Sequence, residues 1–259
     1  MHGARNGETA RCAQASFAPS QNPTRAWGTR RHASTFNPPS PTAVTVLGIE
    51  TATDVCSVGV VRDGAILAAA HVAVPRSHAT RLALLVQEAL AHARLAATDL
   101  DGVAVSAGPG SYTGLRIGAS LARGLCLATG ARLLAVPTME ALAAEADPLV
   151  HAGEALVVAL PSRRGEAYLY VAGRGAPEAV AFADAAAWVA TRVPGGVPIA
   201  VCGPAAEAVL DTLPVARVLD VVPSGARIAR MGSAVADAGG DAFEPAYIGT
   251  FATPPVTQR

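Results

Sequence analysis

Strand-length apolar runs alternate with helix-length segments between residues 44 and 146, and this alternation restricts the fold more than any other feature. The predicted strands cover 44–50, 56–61, 65–74, 101–106 and 132–136, and the predicted helices cover about 77–95, 113–129 and 138–146. The dipeptide Asp63-Gly64 between two apolar runs is a strong hairpin signal. Strands that alternate with helices predict an α/β layered architecture.

The second half of the chain shows a weaker version of the same alternation. Strands are predicted over 155–160, 167–172, 198–202 and 216–221, and helices over 183–192, 204–212 and 224–238. Ser224 is placed to cap the last helix, and Gly239-Gly240 is placed to end it. We therefore predict two folded parts, 44–148 and 149–259, with a boundary near residues 147–153.

Residues 1–43 differ in composition from the rest of the chain. They carry a net charge of +4 and five prolines, whereas the remainder carries −4. Because so polar a segment buries little apolar surface, it is predicted to be disordered. It lacks the apolar stretch of a secretory signal, and an upstream translation start explains it better than an Arg-rich and Ser-rich transit peptide does.

Composition excludes several chemistries. All 20 basic residues are arginine, so a P-loop lysine, a pyridoxal-phosphate Schiff base, class I aldolase chemistry and the protein-kinase strand lysine are excluded. No run approaches the ~18–20 apolar residues that a membrane span needs. The four cysteines contain no CxxC pair, which indicates buried small side chains in a reducing cytoplasm.

The two long helices of the first half carry more apolar surface than one sheet face requires. Leu82, Leu85 and Val86 mark the stripe of the first helix, whereas its Leu84 lies off that stripe. Ile117 and the residues that follow at helical spacing mark the stripe of the second, beside the small residues 114, 118, 119 and 122. A helix that is apolar beyond one stripe needs cover on another side. Either the second half of this chain or a partner subunit provides that cover.

The glycine-rich segment 108–114 lies between a predicted strand and a predicted helix. GxGxxxG at such a position is a relaxed form of the dinucleotide fingerprint, but no acidic residue follows ~20 positions later. Ser111 does not stand in a GxSxG nucleophile elbow. The better interpretation is a tight turn in which Ser111 or Thr113 caps the helix. His78 and His92 are fourteen residues apart, too far to ligate one metal ion from one helix face.

Five motifs in this order resemble the TsaB family, the small actin-like subunit of the bacterial machinery that makes threonylcarbamoyladenosine in tRNA. They are GIETAT at 48–53, CSV at 56–58, RSHATRL at 76–82, GPGSYTGLRIG at 108–118 and VPTMEAL at 136–142. The resemblance is weaker in the second half, where only RRGE at 163–166 and PAY at 245–247 carry it.

The resemblance implies an actin/Hsp70-like ATPase (ribonuclease H-like) fold with two similar subdomains. It also implies a non-catalytic cytoplasmic subunit that holds no cofactor or metal. Its partners would be the catalytic TsaD-type subunit and an accessory P-loop ATPase, with tRNA contacted only indirectly and a homodimer left open. The expected partner interface comprises His78, Arg81, Leu82, Leu85, Gly114, Arg116, Ile117, Gly118 and Leu121. Glu50, Thr51 and Thr53 correspond to the family's phosphate-binding turn.

Three departures from the family pattern bear on these expectations. Glu50 stands in place of the usual Asp, Pro161 in place of Asp, and Gly249 in place of Arg. They weaken the expectation of a nucleotide role. An actin-fold small-molecule kinase or ATPase is the competing class, and a dinucleotide-dependent oxidoreductase built on residues 108–114 is a third.

Overall fold

The computed structural model describes residues 43–213, 216–239 and 243–246, and its first half is built on a five-stranded sheet. The strands are β1 (Thr45–Glu50), β2 (Cys56–Arg62), β3 (Ala65–Val72), β4 (Gly102–Ser106) and β5 (Arg132–Val136). Their order is β3-β2-β1-β4-β5, with β4 and β5 parallel to β1 and the other pairs antiparallel. Asp63 and Gly64 both have positive φ, +48° and +77°, as a two-residue hairpin turn requires, so the hairpin prediction is confirmed.

Two long helices cover one face of this sheet. They are α1 (His78–Ala93) and α2 (Tyr112–Thr129), and they pack against strand residues such as Leu47, Ile49 and Val105 in one apolar core. Helix α3 (Thr138–Ala146) follows β5, and single helical turns lie at Ala97–Asp99 and Asp147–Leu149. The three helices of this half were predicted from the sequence and are confirmed.

The second sheet repeats the strand order of the first. Its strands are β6 (Ala155–Pro161), β7 (Glu166–Val171), β8 (Arg174–Ala181), β9 (Ile199–Cys202) and β10 (Ala216–Leu219), in the order β10-β9-β6-β7-β8. As in the first sheet, the first strand of the half divides the pairings. The β6–β7 and β7–β8 pairs on one side are antiparallel, and the β6–β9 and β9–β10 pairs on the other are parallel. Helices α4 (Ala185–Ala190) and α5 (Ala206–Leu210) and a helical turn at Phe182–Asp184 accompany it. The chain therefore contains two similar α/β halves.

Helix α6 (Gly225–Gly232) belongs to the end of the chain, yet it packs on the first sheet, on the face opposite α1 and α2. Gly48 and Gly59 make this possible, since a Cβ on either would lie within 3.0 Å of the α6 backbone. Ser224 caps the helix by accepting a hydrogen bond from the Arg227 amide at 3.3 Å, as predicted. The predicted extent, 224–238, is wrong. The helix ends at Gly232, whose close approach to Ala104 leaves no space for a side chain.

The last described segment, 243–246, returns to the first half. Phe243 is buried in the core beneath α2, and Arg123 donates a hydrogen bond to its carbonyl oxygen. The Ala246 amide donates to the Ala107 carbonyl at 2.7 Å, directly after β4. Residues 1–42 of the predicted tail at 1–43 lie outside the described residues, as do Gly240 and Gly249. The boundary at residue 148 stays a prediction. No helix among the described residues is long and apolar enough to cross a bilayer.

Candidate partner interface and candidate phosphate-binding turn

Three segments meet where the parallel strands of the first sheet end. The turn at 51–55 follows β1, the glycine-rich segment 108–114 follows β4, and Thr138 follows β5. The Thr51 amide donates to Ser106 Oγ at 3.2 Å, and the Gly108 amide donates to Thr138 Oγ1 at 2.9 Å. The strand ends are thus tied to one another by side-chain oxygens.

Glu50 is a buried carboxyl at the centre of this arrangement. Only 2% of its surface is exposed, and its Oε1 accepts a hydrogen bond from the Ala52 amide at 2.6 Å. Burial raises the pKa of Glu50 to about 7, against the opposing effect of hydrogen bonds from Ala52 and Ser106. The carboxyl therefore titrates near neutral pH instead of holding a fixed negative charge.

The glycine-rich segment is a turn and a helix cap, as the better of the two sequence interpretations predicted. Ser111 Oγ accepts a hydrogen bond from the Gly114 amide at 3.2 Å, the geometry of an N-cap. The Ser111 amide donates to the Ala52 carbonyl at 2.7 Å. Since these amides already have partners within the chain, they are not arranged to cradle a pyrophosphate.

The residues expected to form a phosphate-binding turn do not fit a nucleotide with its metal ion. Glu50, Thr53 and Thr138 line a cavity with Ser224 and Arg227, and its volume is only about 10 Å³. Such a volume accommodates about one water molecule. The amides of Thr51 and Ala52 donate to Ser106 and Glu50, so they do not point into free space.

Glycines of α2 and of the loop before it leave the space that the turn at residues 51–55 occupies. A Cβ on Gly110 would lie within 3.0 Å of the Ala52 backbone, and one on Gly114 equally close to the Thr51 carbonyl oxygen. A Cβ on Gly118 would meet Thr51 Oγ1. The assignment of Gly114 and Gly118 to a partner interface is therefore corrected, because the space beside them is filled by Thr51 of the same chain.

Part of the predicted interface on α1 is also internal. Leu82 and Leu85 are buried, with 2% and 7% of their surface exposed, and belong to the core beneath the helix. His78 is buried at the helix start, and its Nε2 has no hydrogen-bond partner. Ser77 does not cap α1, because its helical backbone conformation leaves Oγ buried and unpaired. These positions cannot form the outer contact that the sequence suggested.

The remaining predicted interface residues reach the surface. Arg81 and Arg116 are exposed, whereas Ile117 and Leu121 are half-buried against the core that the two helices share. Arg116 donates a hydrogen bond to the Tyr112 hydroxyl at 2.7 Å. These four side chains lie on α1 and α2, which pack against each other.

Two exposed leucines on the same helices were not among the predicted interface residues. Leu84 on α1 is 48% exposed and Leu127 on α2 is 90% exposed. Both lie off the apolar stripe that faces the sheet. Their position on the helical wheel could therefore have identified them from the sequence as exposed apolar residues. With Arg81, Arg116, Ile117 and Leu121 they define what we call the helix-pair surface.

The buried cysteines are unsuited to nucleophilic chemistry. Burial raises the pKa of Cys202 to about 12, and burial together with the charge of Glu50 raises the pKa of Cys56 to about 11. Neither thiol is ionised at neutral pH. Within the part of the chain that the structure describes, no three His, Cys, Asp or Glu side chains are grouped closely enough to hold a metal ion.

Two solved structures share the fold. The first is described as an uncharacterized protein from Pseudomonas aeruginosa with similarity to peptidase YEAZ; it has a TM-score of 0.68 at 24% identity and covers 80% of this chain and 100% of its own. The second, YeaZ from Pseudomonas aeruginosa, has a TM-score of 0.66 at 23% identity and covers 79% of this chain and 100% of its own. Together with the duplicated sheets, they define an α/β protein of the actin/Hsp70-like class.

Sequence comparison identifies the family. The family profile described as "TsaD: tRNA N6-adenosine threonylcarbamoyltransferase" matches residues 72–237. The tRNA threonylcarbamoyladenosine biosynthesis protein TsaB of Escherichia coli is 37% identical over 123 residues, which are 48% of this chain and 52% of that protein. TsaB of Haemophilus influenzae is 33% identical over 125 residues, with the same two shares. The chain belongs to the family that this profile describes. It spans about half the length of the curated relatives that it matches.

Proposed function

We propose that this protein is a non-catalytic subunit required for threonylcarbamoylation of adenosine-37 in tRNA. Its role is to bind and support a catalytic TsaD-type subunit, in a system that also includes an accessory P-loop ATPase. The helix-pair surface carries this proposal, because it places exposed leucines and arginines on two adjacent helices of the first half. The family membership supports the proposed involvement in threonylcarbamoylation of tRNA.

The composition of the helix-pair surface suits a protein partner. Exposed apolar side chains, such as Leu84 on α1 and Leu127 on α2, are typical of interaction sites. The exposed Ala83 and Gly124 on the same helices are small enough to let a partner helix approach. Arg81 and Arg116 add the side chain that is enriched at interface hot spots.

The described residues supply no arrangement of catalytic groups. Transfer chemistry needs a nucleophile, an acid–base pair or an electrophile within mutual reach. Ser111 Oγ caps α2, His78 is buried at the start of α1, and Cys56 and Cys202 are un-ionised thiols in the cores. Residues 44–259 carry a net charge of −4, so tRNA contact is assigned to the partner.

The test is reconstitution of the transfer step from purified components, with tRNA and a preformed threonylcarbamoyl donor that carries radiolabelled threonine. We expect no labelled tRNA from this chain alone, and labelled tRNA when the TsaD-type subunit and the ATPase are added. Leu84→Glu should reduce both the reconstituted activity and binding to the TsaD-type subunit at least tenfold, because it introduces a charge into the contact.

Leu149→Glu is the matched control. Leu149 is 47% exposed, nearly the same as Leu84, but it lies in the helical turn after α3 and outside the helix-pair surface. This variant should bind and act like the unmodified chain. Labelling of tRNA by the chain alone, full activity of the mixture without it, or equal effects of the two substitutions would contradict the proposal. Sustained hydrolysis of ATP by the chain alone would favour the kinase or ATPase class.

A further inference from the structure

The buried carboxyl of Glu50 is joined to the start of α2 through the turn at 51–55. Glu50 Oε1 accepts a hydrogen bond from the Ala52 amide at 2.6 Å, and the Ala52 carbonyl accepts one from the Ser111 amide at 2.7 Å. Ser111 is the N-cap residue of α2. A single residue of the turn therefore connects the carboxyl group with the first turn of the helix.

Thr51 of the same turn packs along the first part of α2. Its carbonyl oxygen lies against Gly114 and its Oγ1 lies against Gly118, where a Cβ atom on either glycine would collide with it. Arg116 and Ile117 of the helix-pair surface stand between these two glycines in the sequence. A displacement of the turn would therefore remove the support beneath this part of the helix-pair surface.

The surroundings of Glu50 favour its neutral form. The thiol of Cys56 in β2 is un-ionised, since its pKa is raised to about 11. Arg227 of α6 lines the cavity beside Glu50, but its Nε forms an ion pair with Glu145 of α3 at 2.9 Å. Burial of a carboxyl group without a cation of its own stabilises the protonated form. The polar side chains from the turn, β4, α3 and the N-cap of α6 that bond to Glu50 or line this cavity are uncharged: Thr53, Ser106, Thr138 and Ser224.

The ionised carboxyl of Glu50 has too little space for hydration while the turn is in place. The cavity beside it has a volume of about 10 Å³, which accommodates about one water molecule. A carboxylate removed from water is unstable relative to a hydrated one. An outward movement of the turn at 51–55, whose Asp54 is already exposed, would admit water. The same movement would break the hydrogen bond between Ala52 and Ser111 and withdraw Thr51 from α2.

We propose that Glu50 is a pH-dependent switch that controls the helix-pair surface. With the carboxyl group protonated, the turn at 51–55 packs against α2 and holds this surface in the form that binds the TsaD-type subunit. Loss of the proton opens the turn, releases the start of α2 and weakens binding. The switch rests on the proposed function for the identity of the partner, whereas the opening of the turn is a property of this chain by itself.

Hydrogen exchange of the full chain, measured by NMR at the Ala52 and Ser111 amides, tests the opening of the turn. Protection factors, which are corrected for the intrinsic effect of pH, report how often these hydrogen bonds are broken. Opening releases one proton between the ordinary pKa of a glutamate and the raised pKa of Glu50, about 7. We therefore expect opening to increase about tenfold between pH 6 and pH 8.

Glu50→Gln retains the shape of the protonated side chain and cannot ionise, so its protection factors should be the same at both pH values. Glu154→Gln is the matched control. The hydrogen bond from Arg217 lowers the pKa of Glu154 to about 2, so this carboxyl is charged throughout the range and its replacement should leave the pH response unchanged. Constant protection in the unmodified chain, or an equal pH response in Glu50→Gln, would overturn the switch.

The effect on the partner is measured as the dissociation constant of the complex with the TsaD-type subunit at pH 6 and pH 8. Other groups on both proteins titrate in this range, so the ratio between the unmodified chain and Glu50→Gln isolates the contribution of Glu50. Since the complex holds Glu50 protonated, this ratio should rise about three- to tenfold from pH 6 to pH 8. A constant ratio would overturn the coupling to the helix-pair surface. Absence of binding at both pH values would instead contradict the proposed function, and the exchange data would still decide whether the turn opens.

Discussion

Three glycines of α2 should respond in different ways to the same substitution. Gly114→Ala places a methyl group within 3.0 Å of the Thr51 carbonyl oxygen, and the Thr51 and Ala52 backbone is held by hydrogen bonds to Ser106 and Ser111. Overpacking of this kind costs about 1–3 kcal/mol or more, and here no side-chain rotation relieves it. The gain in helix propensity, about 1 kcal/mol, is too small to offset it.

Gly124→Ala is the control within the same helix. Gly124 is exposed, its φ is not positive, and nothing lies within 4 Å of the added methyl group. We expect this variant to gain about 0.5–1 kcal/mol. Gly118→Ala should fall between the two, because the atom it meets, Thr51 Oγ1, belongs to a side chain that can rotate.

Thermal unfolding monitored by circular dichroism measures these differences. For a protein of this size, 1 kcal/mol shifts Tm by about 2–4 °C. We therefore expect Gly114→Ala to lower Tm by roughly 4 °C or more and Gly124→Ala to raise it by roughly 2 °C. Adding Thr51→Ala should restore stability to Gly118→Ala beyond the sum of the single effects. Equal shifts at 114 and 124 would refute the argument that Thr51 fills the space beside α2.

Two further predictions follow from the strand ends. The raised pKa of Glu50 means that the folded protein binds more protons than the unfolded chain between pH 4.5 and about 7, so stability should fall as pH rises through this window. Glu50→Gln should remove this pH dependence. At pH 8 its free energy of unfolding should exceed that of the unmodified chain by up to about 3 kcal/mol, whereas at pH 4.5 the two should differ little. Urea titrations at both pH values measure this difference. Ser111→Ala should lower stability by about 1 kcal/mol through loss of the N-cap, and an unchanged urea midpoint would show that Ser111 does not act as a cap.

Local signals predicted most of the first half, because those signals act over a few residues. The Asp63-Gly64 turn and the Ser111 cap depend on backbone conformations that short side chains and glycine favour, and both were found as predicted. Strand β8 was missed because Gly175 and Pro177 interrupt the alternation that marks a strand.

The errors in the candidate site have a different origin. Glycines spaced along α2 indicate close packing, but the sequence does not reveal whether the neighbour is Thr51 or another protein. Likewise, the stripe of Leu82 and Leu85 predicts which face of α1 is buried, but it does not reveal what packs against that face. Burial and distance between segments far apart in sequence decide these questions.

The position of α6 has a consequence for synthesis on the ribosome. The first sheet is complete once β5 has emerged, but one of its faces, which includes Val46, Val61 and Leu134, stays open until α6 arrives. Roughly 100 residues separate β5 from the end of α6, and at about 5–20 residues per second this takes roughly 5–20 s. During that interval the nascent first half exposes an apolar sheet face, which makes it a substrate for chaperones that bind apolar segments.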